Sequence, residues 1–277
     1  MTAAQFRVPT TLLENLRVGD TLTLTGPEAY HAVRVLRLAV GEPVRCADGA
    51  GRGVAGVVHG LGVCDAADAD ADADALIVRV TKLLTQPRLG PSLVLVQALA
   101  KGGRDELAVE AATELGVDEV LAWQAERSVV RWREERAAKS LAKWQRVVAA
   151  AAKQARRLFE PPVYGPAATA DVARRLASAV TAGGAAYVLH EEAPRPLAGR
   201  ELPERGDVVV VVGPEGGITA AELAAFTEAG ATPVRLGDHV LRTSTAGPAA
   251  LAVLSAAGRW RDAPPRESDS TDDTTTP

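Results

Sequence analysis

Two cysteines, Cys46 and Cys64, are all that the 277 residues contain, and neither their number nor their spacing suits a disulfide framework or a zinc cluster. The four histidines, His31, His59, His190 and His239, are scattered, with no i,i+4 pair and no H-E-x-x-H, so no metal is expected. No G-x-S-x-G elbow occurs, which leaves a serine hydrolase poorly supported. Long apolar runs are missing as well. With 47% hydrophobic residues, 24% charged residues and a mean hydropathy of +0.03, the composition is that of a soluble globular chain, which excludes membrane and collagen-like readings. The opening MTAAQFRVPT has no charged start followed by an apolar run, so no secretory signal is expected and a reducing cytoplasm is the default compartment.

The formal net charge of −4 seems at first to oppose a nucleic-acid partner, but its distribution matters more than its sum. Five of the aspartates lie in the Asp/Ala run at 65–75, and the tail 263–277 carries a further net −3, which leaves +4 for the remainder. Both segments are low in complexity and poor in large apolar side chains. They cannot offset the entropy of ordering and are expected to be disordered.

From Phe6 to about Leu84, short apolar runs punctuated by Gly and Pro predict a small β-barrel or sandwich, interrupted by a helical turn or two over Glu28 to Leu38 that carries the basic pair Arg34 and Arg37. QPRLGP (Gln86 to Pro91) reads as a linker, giving domains at 1–85 and 91–262. Beyond it the rhythm becomes α/β. Strands are predicted at Ser92 to Leu99, Glu119 to Trp123, Ala186 to His190, Asp207 to Val212 and Thr232 to Leu236. Helices are predicted at Arg104 to Leu115 (with Leu107, Ala111 and Leu115 on one face), Asp171 to Val180, Thr219 to Ala229 and Pro248 to Trp260. This alternation predicts a mostly parallel sheet covered on both faces.

A long helix is expected over Lys139 to Arg157. Leu141, Trp144, Val148, Ala151 and Ala155 fall on one side of it, and Lys139, Arg146, Lys153 and Arg157 on the other. Residues 127 to 157 hold ten basic and two acidic side chains. Such a stripe is either a solvated face or a set of phosphate contacts, and its single sign fits phosphate better. Arg127 and Ser128 follow a strand directly, at the edge where open α/β sheets place ligands, although an ordinary polar loop would look the same.

VVVVVGPEGGI, Val208 to Ile218, is the strongest local signal. A buried strand runs into Gly213-Pro214-Glu215-Gly216-Gly217 and then a helix that Thr219 and Glu222 can cap as a T-x-x-E box. The glycines permit close backbone approach to a ligand, and the helix start supplies unpaired N–H groups. The turn is neither a Walker A loop nor a G-x-G-x-x-G turn. A second loop, LGDHVLRTSTA (Leu236 to Ala246), offers amides, the hydroxyls of Thr243, Ser244 and Thr245, the cation of Arg242, and apolar Val240 and Leu241. That mixture suits an adenosine.

Taken in order, HAVRVLRLAVGEPV, QALAKGGRDELAVEAATELGV, AERSV, KWQRVVAAAAKQARR, VVGPEGGI and LGDHVLRTSTA closely resemble the RsmE family, the 16S ribosomal RNA uridine N3-methyltransferases of the SPOUT class. The resemblance covers about Phe6 to Trp260. It implies an N-terminal RNA-binding barrel of the PUA type and a C-terminal domain knotted as a trefoil. It also implies S-adenosylmethionine as methyl donor, bound by Leu189 and His190, by Gly213 to Gly217 including Glu215, and by Leu236 to Thr245, with Leu241, Arg242, Thr243 and Ser244 among them. Two positions depart from the family pattern: Ser244 stands where the family often has Glu, and Lys153-Gln154-Ala155-Arg156 replaces E-Q-S-R.

For methyl transfer to a uracil nitrogen, the N3 anion must be favoured by positive charge or by a base. Arg127 and Arg242 are the candidates for the charge. The RNA contacts are expected from Arg34, Arg37, Arg127, Lys139, Arg146, Lys153 and Arg157, with 16S ribosomal RNA in the small subunit as partner and no membrane. A homodimer is implied by the resemblance and expected physically, because the last helix is apolar almost all round and a sheet covers only one side of it. Two other readings stay open: a non-catalytic ribosomal RNA assembly factor, and a SPOUT enzyme acting on transfer RNA.

Overall fold

Five consecutive valines, Val208 to Val212, make the strand around which the second half of the chain is arranged. Both of its faces are buried, Val208, Val210 and Val212 in one apolar cluster and Val209 and Val211 in the other. β-Branched side chains suit such a doubly covered strand. The computed structural model describes residues 3–63, 74–87, 90–133 and 135–261. The expected disordered run at 65–75 therefore lies outside the described residues as far as 73, as do Cys64 and the tail 263–277. Asp74 and Ala75 belong to a strand instead, and Asp74 accepts two hydrogen bonds from Arg34.

The N-terminal part contains β1 (Ala4–Arg7), β2 (Thr21–Leu24), α1 (Gly26–Tyr30), β3 (Pro43–Ala47), β4 (Arg52–Val63) and β5 (Asp74–Thr85). They form one five-stranded sheet in the order β1-β3-β4-β5-β2, antiparallel except for β1 with β3. Among the described residues its edges, β1 and β2, share no ladder. The helix expected over Glu28 to Leu38 is shorter: α1 passes into a π turn over His31–Val35. Phe6, Leu24, Val44, Cys46 and Leu76 pack into a single core.

The second part contains β6 (Ser92–Ala98), α2 (Arg104–Glu114), β7 (Glu119–Trp123), α3 (Glu135–Gln154), β8 (Val163–Ala167), α4 (Thr169–Thr181), β9 (Ala185–Leu189), β10 (Asp207–Val212), α5 (Ala220–Glu228), β11 (Thr232–Val234) and α6 (Thr243–Ala257). All six strands are parallel, in the order β11-β9-β10-β6-β7-β8. The cluster on one face includes residues of α2, α3 and α6, and the cluster on the other includes residues of α4 and α5. Sequence periodicity missed β8, whose Gly165-Pro166 pair reads as a breaker. At the sheet edge such a pair is tolerated.

Four expectations are corrected by packing. The buried face of α2 is Ala108, Val109, Ala112 and Thr113, while Leu107 is 56% exposed. This helix is wedged between α3 and α6, where small residues permit close approach. The helix expected up to Arg157 ends at Gln154, and Ala155 is exposed. Arg156 takes a left-handed φ of 55°, and the chain turns to pair Phe159 with Gly49 of the first sheet. Arg157 is therefore no surface cation. Only 9% exposed, it donates to the carbonyls of Thr113 and Val117, both at 2.7 Å, and burial pushes its guanidinium down to about 10. Its own carbonyl receives the Gln5 amide, and Lys153 beside it donates to Glu28 at 2.8 Å. Finally, the last helix does not need a second chain on its far side: α6 is covered by α2 of the same chain and Leu251 is fully buried.

Among the described residues no helix is long and apolar enough to cross a membrane. Cys46 lies in the first core, and burial, helped by the charge of Glu28, pushes its thiol up to about 12. An acid whose pKa is raised stays protonated until the pH reaches that value, and only the thiolate reacts. Native protein at pH 8.5 should therefore leave Cys46 unalkylated by iodoacetamide, as read by peptide mass spectrometry, and become labelled once denaturant is added. Rapid labelling of the native protein would contradict this packing.

Candidate active site

Strand order reverses beside β6. The chain proceeds from it to β7 and β8 on one side, then crosses to build β9, β10 and β11 on the other. Ligands of open α/β sheets bind at such a switch, beyond the carboxyl ends of the strands. A cavity of about 620 Å³ lies there, walled by the residues that follow β9, β10 and β11. The loops after β10 and β11 are short and start from buried strand ends, Val212 and Val234, so the sheet sets their positions, whereas the loop after β9 is long.

The glycine turn after β10 has the cap expected of it. Thr219 N donates to Glu222 Oε2 at 3.0 Å, and Glu222 N donates to Thr219 Oγ1 at 3.2 Å. Gly217 needs its flexibility, with φ at 75°, whereas Gly216 lies in a tight place: a Cβ there would lie 3.0 Å from Cβ and 3.2 Å from the carbonyl oxygen of Arg127. Arg127 Nη1 in turn donates to Gly216 O at 3.1 Å. Glu215 faces the opposite side, where its Oε1 accepts from Lys101 N at 3.2 Å and from Arg104 at 3.1 Å. Its carboxylate thus braces the turn against the β6–α2 loop.

A buried relay joins the third loop to the sheet. Gln97, in β6 and fully buried, donates from Nε2 to Thr243 Oγ1 at 2.9 Å, and that hydroxyl donates to Gly213 O at 2.7 Å. One hydroxyl therefore connects the central strand, the glycine turn and the start of α6. The segment before α6 is different. The amides of Leu236, Gly237, Val240 and Leu241 meet no acceptor among the described residues, leaving a row of donors for a ligand.

Of the residues expected to bind a ligand, Leu189, His190, Gly213, Glu215, Gly216, Gly217, Leu236, Leu241, Arg242 and Thr243 line the cavity, and Arg127 joins them. Ser244 and Thr245 do not; they lie within α6, turned from its wall. The Thr243 hydroxyl is spent on the relay. His239, within the expected Leu236 to Thr245 loop, lines the cavity as well, and so do Arg104 and Arg235, which were not expected there because nothing local to either marks a ligand contact. Arg235 is committed to the carbonyls of Ala193 and Pro194, which leaves Arg127 and Arg242 as exposed cations on the wall. Ser128 is buried, and its Oγ has no partner among the described residues. Lys139 and Arg146 are exposed on α3, Arg37 is exposed in the N-terminal part, and Arg34 pairs with Asp74. Among the described residues no cluster of His, Cys, Asp and Glu is arranged to hold a metal.

Residues 88–255 match the family model of the RNA methyltransferase domain. The chain is 42% identical to the ribosomal RNA small subunit methyltransferase E of Mycobacterium bovis, over 87% of this chain and 89% of that protein. It is 27% identical to the Bacillus subtilis protein of the same name, over 87% and 92%. The crystal structure of a ribosomal RNA small subunit methyltransferase E from Neisseria gonorrhoeae bound to S-adenosyl methionine superposes with a TM-score of 0.75 at 28% identity, covering 92% of this chain and 98% of that one.

Thr243→Val removes one hydroxyl from the relay and leaves the Gln97 amide and the Gly213 carbonyl short of a partner inside the protein. A loss of about 1–3 kcal/mol is expected, read as a lower urea midpoint at unchanged slope. An unchanged midpoint would show that the relay contributes nothing to holding the three segments.

Proposed function

Because the chain belongs to the ribosomal RNA small subunit methyltransferase E family, we propose that it transfers a methyl group from S-adenosylmethionine to N3 of a uridine in 16S ribosomal RNA. The observation that carries this reading is the cavity at the switch point. Its 620 Å³ falls within the range for a ligand of this size, and its unspent amides suit an adenine edge and a carboxylate. The donor fits these residues: Leu236 to Leu241 would hold the adenosine part, while Gly216 and Gly217 allow close approach of the backbone. S-Adenosylmethionine supplies an activated methyl carbon for in-line displacement. The remaining task of the protein is to place the uracil and favour its N3 anion. Arg127, fixed by its bond to Gly216 O, and Arg242, at the start of α6, supply positive charge there. N3 belongs to the Watson–Crick edge, so the target has to be unpaired on arrival. A purely RNA-binding assembly role would leave this cavity without a use.

The finer features follow the same reading. We take 1–85 as an RNA-binding domain of the PUA type and 91–262 as the catalytic domain. The latter is knotted where the chain after β11 passes the β9–β10 loop: Leu197 N donates to Arg235 O and Arg235 N to Arg195 O, which supports threading there. Val240, 75% exposed on the cavity wall, and Val129, 70% exposed two residues beyond Arg127, suit a homodimer contact. The enzyme would act in the cytoplasm, where its ribosomal substrate is.

Nucleoside analysis of small subunits incubated with the protein and S-adenosylmethionine should show N3-methyluridine. Gly216→Val, which drives a side chain into Arg127, should weaken donor binding at least about tenfold, about 1.4 kcal/mol, by calorimetry. Absence of the modified nucleoside would overturn the function, and unchanged affinity in a folded variant would remove the glycine turn from the donor site.

Lys139 and Arg146 remain as the exposed cations of the expected stripe, since Lys153 and Arg157 are spent at the junction between the sheets. Replacing both with Gln should make the slope of log K for RNA against log salt shallower by about 1.4–1.8. If the slope stays the same, this face of α3 is merely solvated.

A further inference from the structure

A second cavity, of about 520 Å³, opens at the carboxyl ends of β7 and β8. It adjoins the donor cavity through two continuous pieces of chain. Arg127 lines the first cavity and its neighbour Glu126 lines the second; the glycine turn walls the first, and the opening turn of α5, with Ala221 and Glu222, walls the second. A polynucleotide whose target base enters the first cavity can therefore reach the second with a nearby nucleotide.

The floor of this cavity is rigid and chemically satisfied. Glu222 is 3% exposed and accepts from Glu126 N at 2.8 Å, from Thr169 Oγ1 at 3.1 Å and from Thr219 N at 3.0 Å. Pro166, Ala167 and Ala168 supply apolar wall. Two groups are left with capacity to spare. Gln124 uses Oε1 to accept from Trp132 N at 2.9 Å, while its Nε2 donates to nothing among the described residues. Glu126 receives only the Thr219 hydroxyl, at Oε2, and its Oε1 has no partner among them.

An amide donor beside a carboxylate acceptor, between apolar walls, is a set that reads the edge of a base. Phosphate is poorly suited to it, because three carboxylates, Glu126, Asp171 and Glu222, line it against one cation, Arg131, whose Nη2 donates to Glu126 O at 2.7 Å, whereas the exposed Arg127 and Arg133 of the same loop can hold the backbone outside. Uracil is the weaker fit. Its N3–H can reach the carboxylate with one carbonyl on the Gln124 amide, but its second carbonyl then faces the carboxylate, whereas adenine, cytosine and guanine present an amino group.

We propose that this cavity holds the base of a nucleotide flanking the target uridine, a base bearing an exocyclic amino group, with Gln124 and Glu126 reading its edge. The proposal rests on the methyltransferase reading and extends it from the reacting base to its neighbour.

The test uses small subunits reconstituted on 16S ribosomal RNA in which each amino-bearing nucleotide within two of the methylated uridine is changed, one at a time, to uracil. Methyl transfer is compared for the wild type, Glu126→Gln and Gln124→Glu. Both variants keep the oxygen that accepts from Thr219 or Trp132, so the fold is retained, and calorimetry with S-adenosylmethionine checks that donor affinity is unchanged. On native subunits each variant should lose about tenfold in kcat/KM, since a site built to hydrogen-bond its ligand rejects a mismatched partner. At one flanking position, change to uracil should cost the wild type about tenfold and Glu126→Gln less than about threefold. Variants as active as the wild type on native subunits, or losses that multiply independently at every position, would overturn the proposal. If the wild-type protein methylates no subunit at all, the underlying function fails and the proposal falls with it.

Discussion

Pairing β10 with β6 brings together strands more than a hundred residues apart in the chain, and the geometry of the site depends on that contact. With Asp207 opposite Ser92 and Val212 opposite Gln97, the two strands end level, and the loops that leave them diverge to opposite sides of the sheet. The space between the diverging loops becomes a cavity because both faces of the strands are already filled. Burial of Val208 to Val212 in two separate clusters supplies the driving force, and a one-residue slip would interchange the two sets of side chains.

Loops around a ligand are ordinarily the least constrained part of a domain, yet here they share hydrogen bonds with one another and with the sheet. Thr243 joins Gln97 to Gly213, Glu215 reaches the β6–α2 loop, and Arg127 holds Gly216 O. These bonds lie within the protein itself, so the fold contributes directly to the shape of the cavity. The amides of Leu236 to Leu241 are left over from that network, and they are what a ligand can use. Structural and binding groups thus alternate along the same loops.

The junction between the two sheets is built from residues that look, in one dimension, like part of an RNA-binding stripe. Arg157 caps two carbonyls at the end of α2 and in the turn that follows, Lys153 meets Glu28, and Leu158 N donates to Gln86 Oε1. Burying a guanidinium is tolerable because its N–H groups find carbonyl acceptors. The consequence for function is that the exposed basic face is shorter than the sequence implies and lies toward the start of α3, on the side of the loop that carries Arg127.

Sequence alone determined five of the six strands of the parallel sheet and most of the helices around it, because hydrophobic periodicity, capping and glycine punctuation are local properties of the chain. It determined the two ligand loops for the same reason: VVGPEGGI and LGDHVLRTSTA carry their chemistry within a dozen residues. What only the tertiary structure decided are the facts that involve residues far apart in the chain. The wedging of α2 buried Ala108 and Ala112 rather than Leu107, since a helix packed on two sides chooses its face by shape. Ser244 and Thr245 were turned away from the cavity and the Thr243 hydroxyl was committed to Gln97, because the sheet fixes where α6 begins. Arg157 left the surface and Arg104 joined the cavity wall through contacts whose partners no local pattern could name.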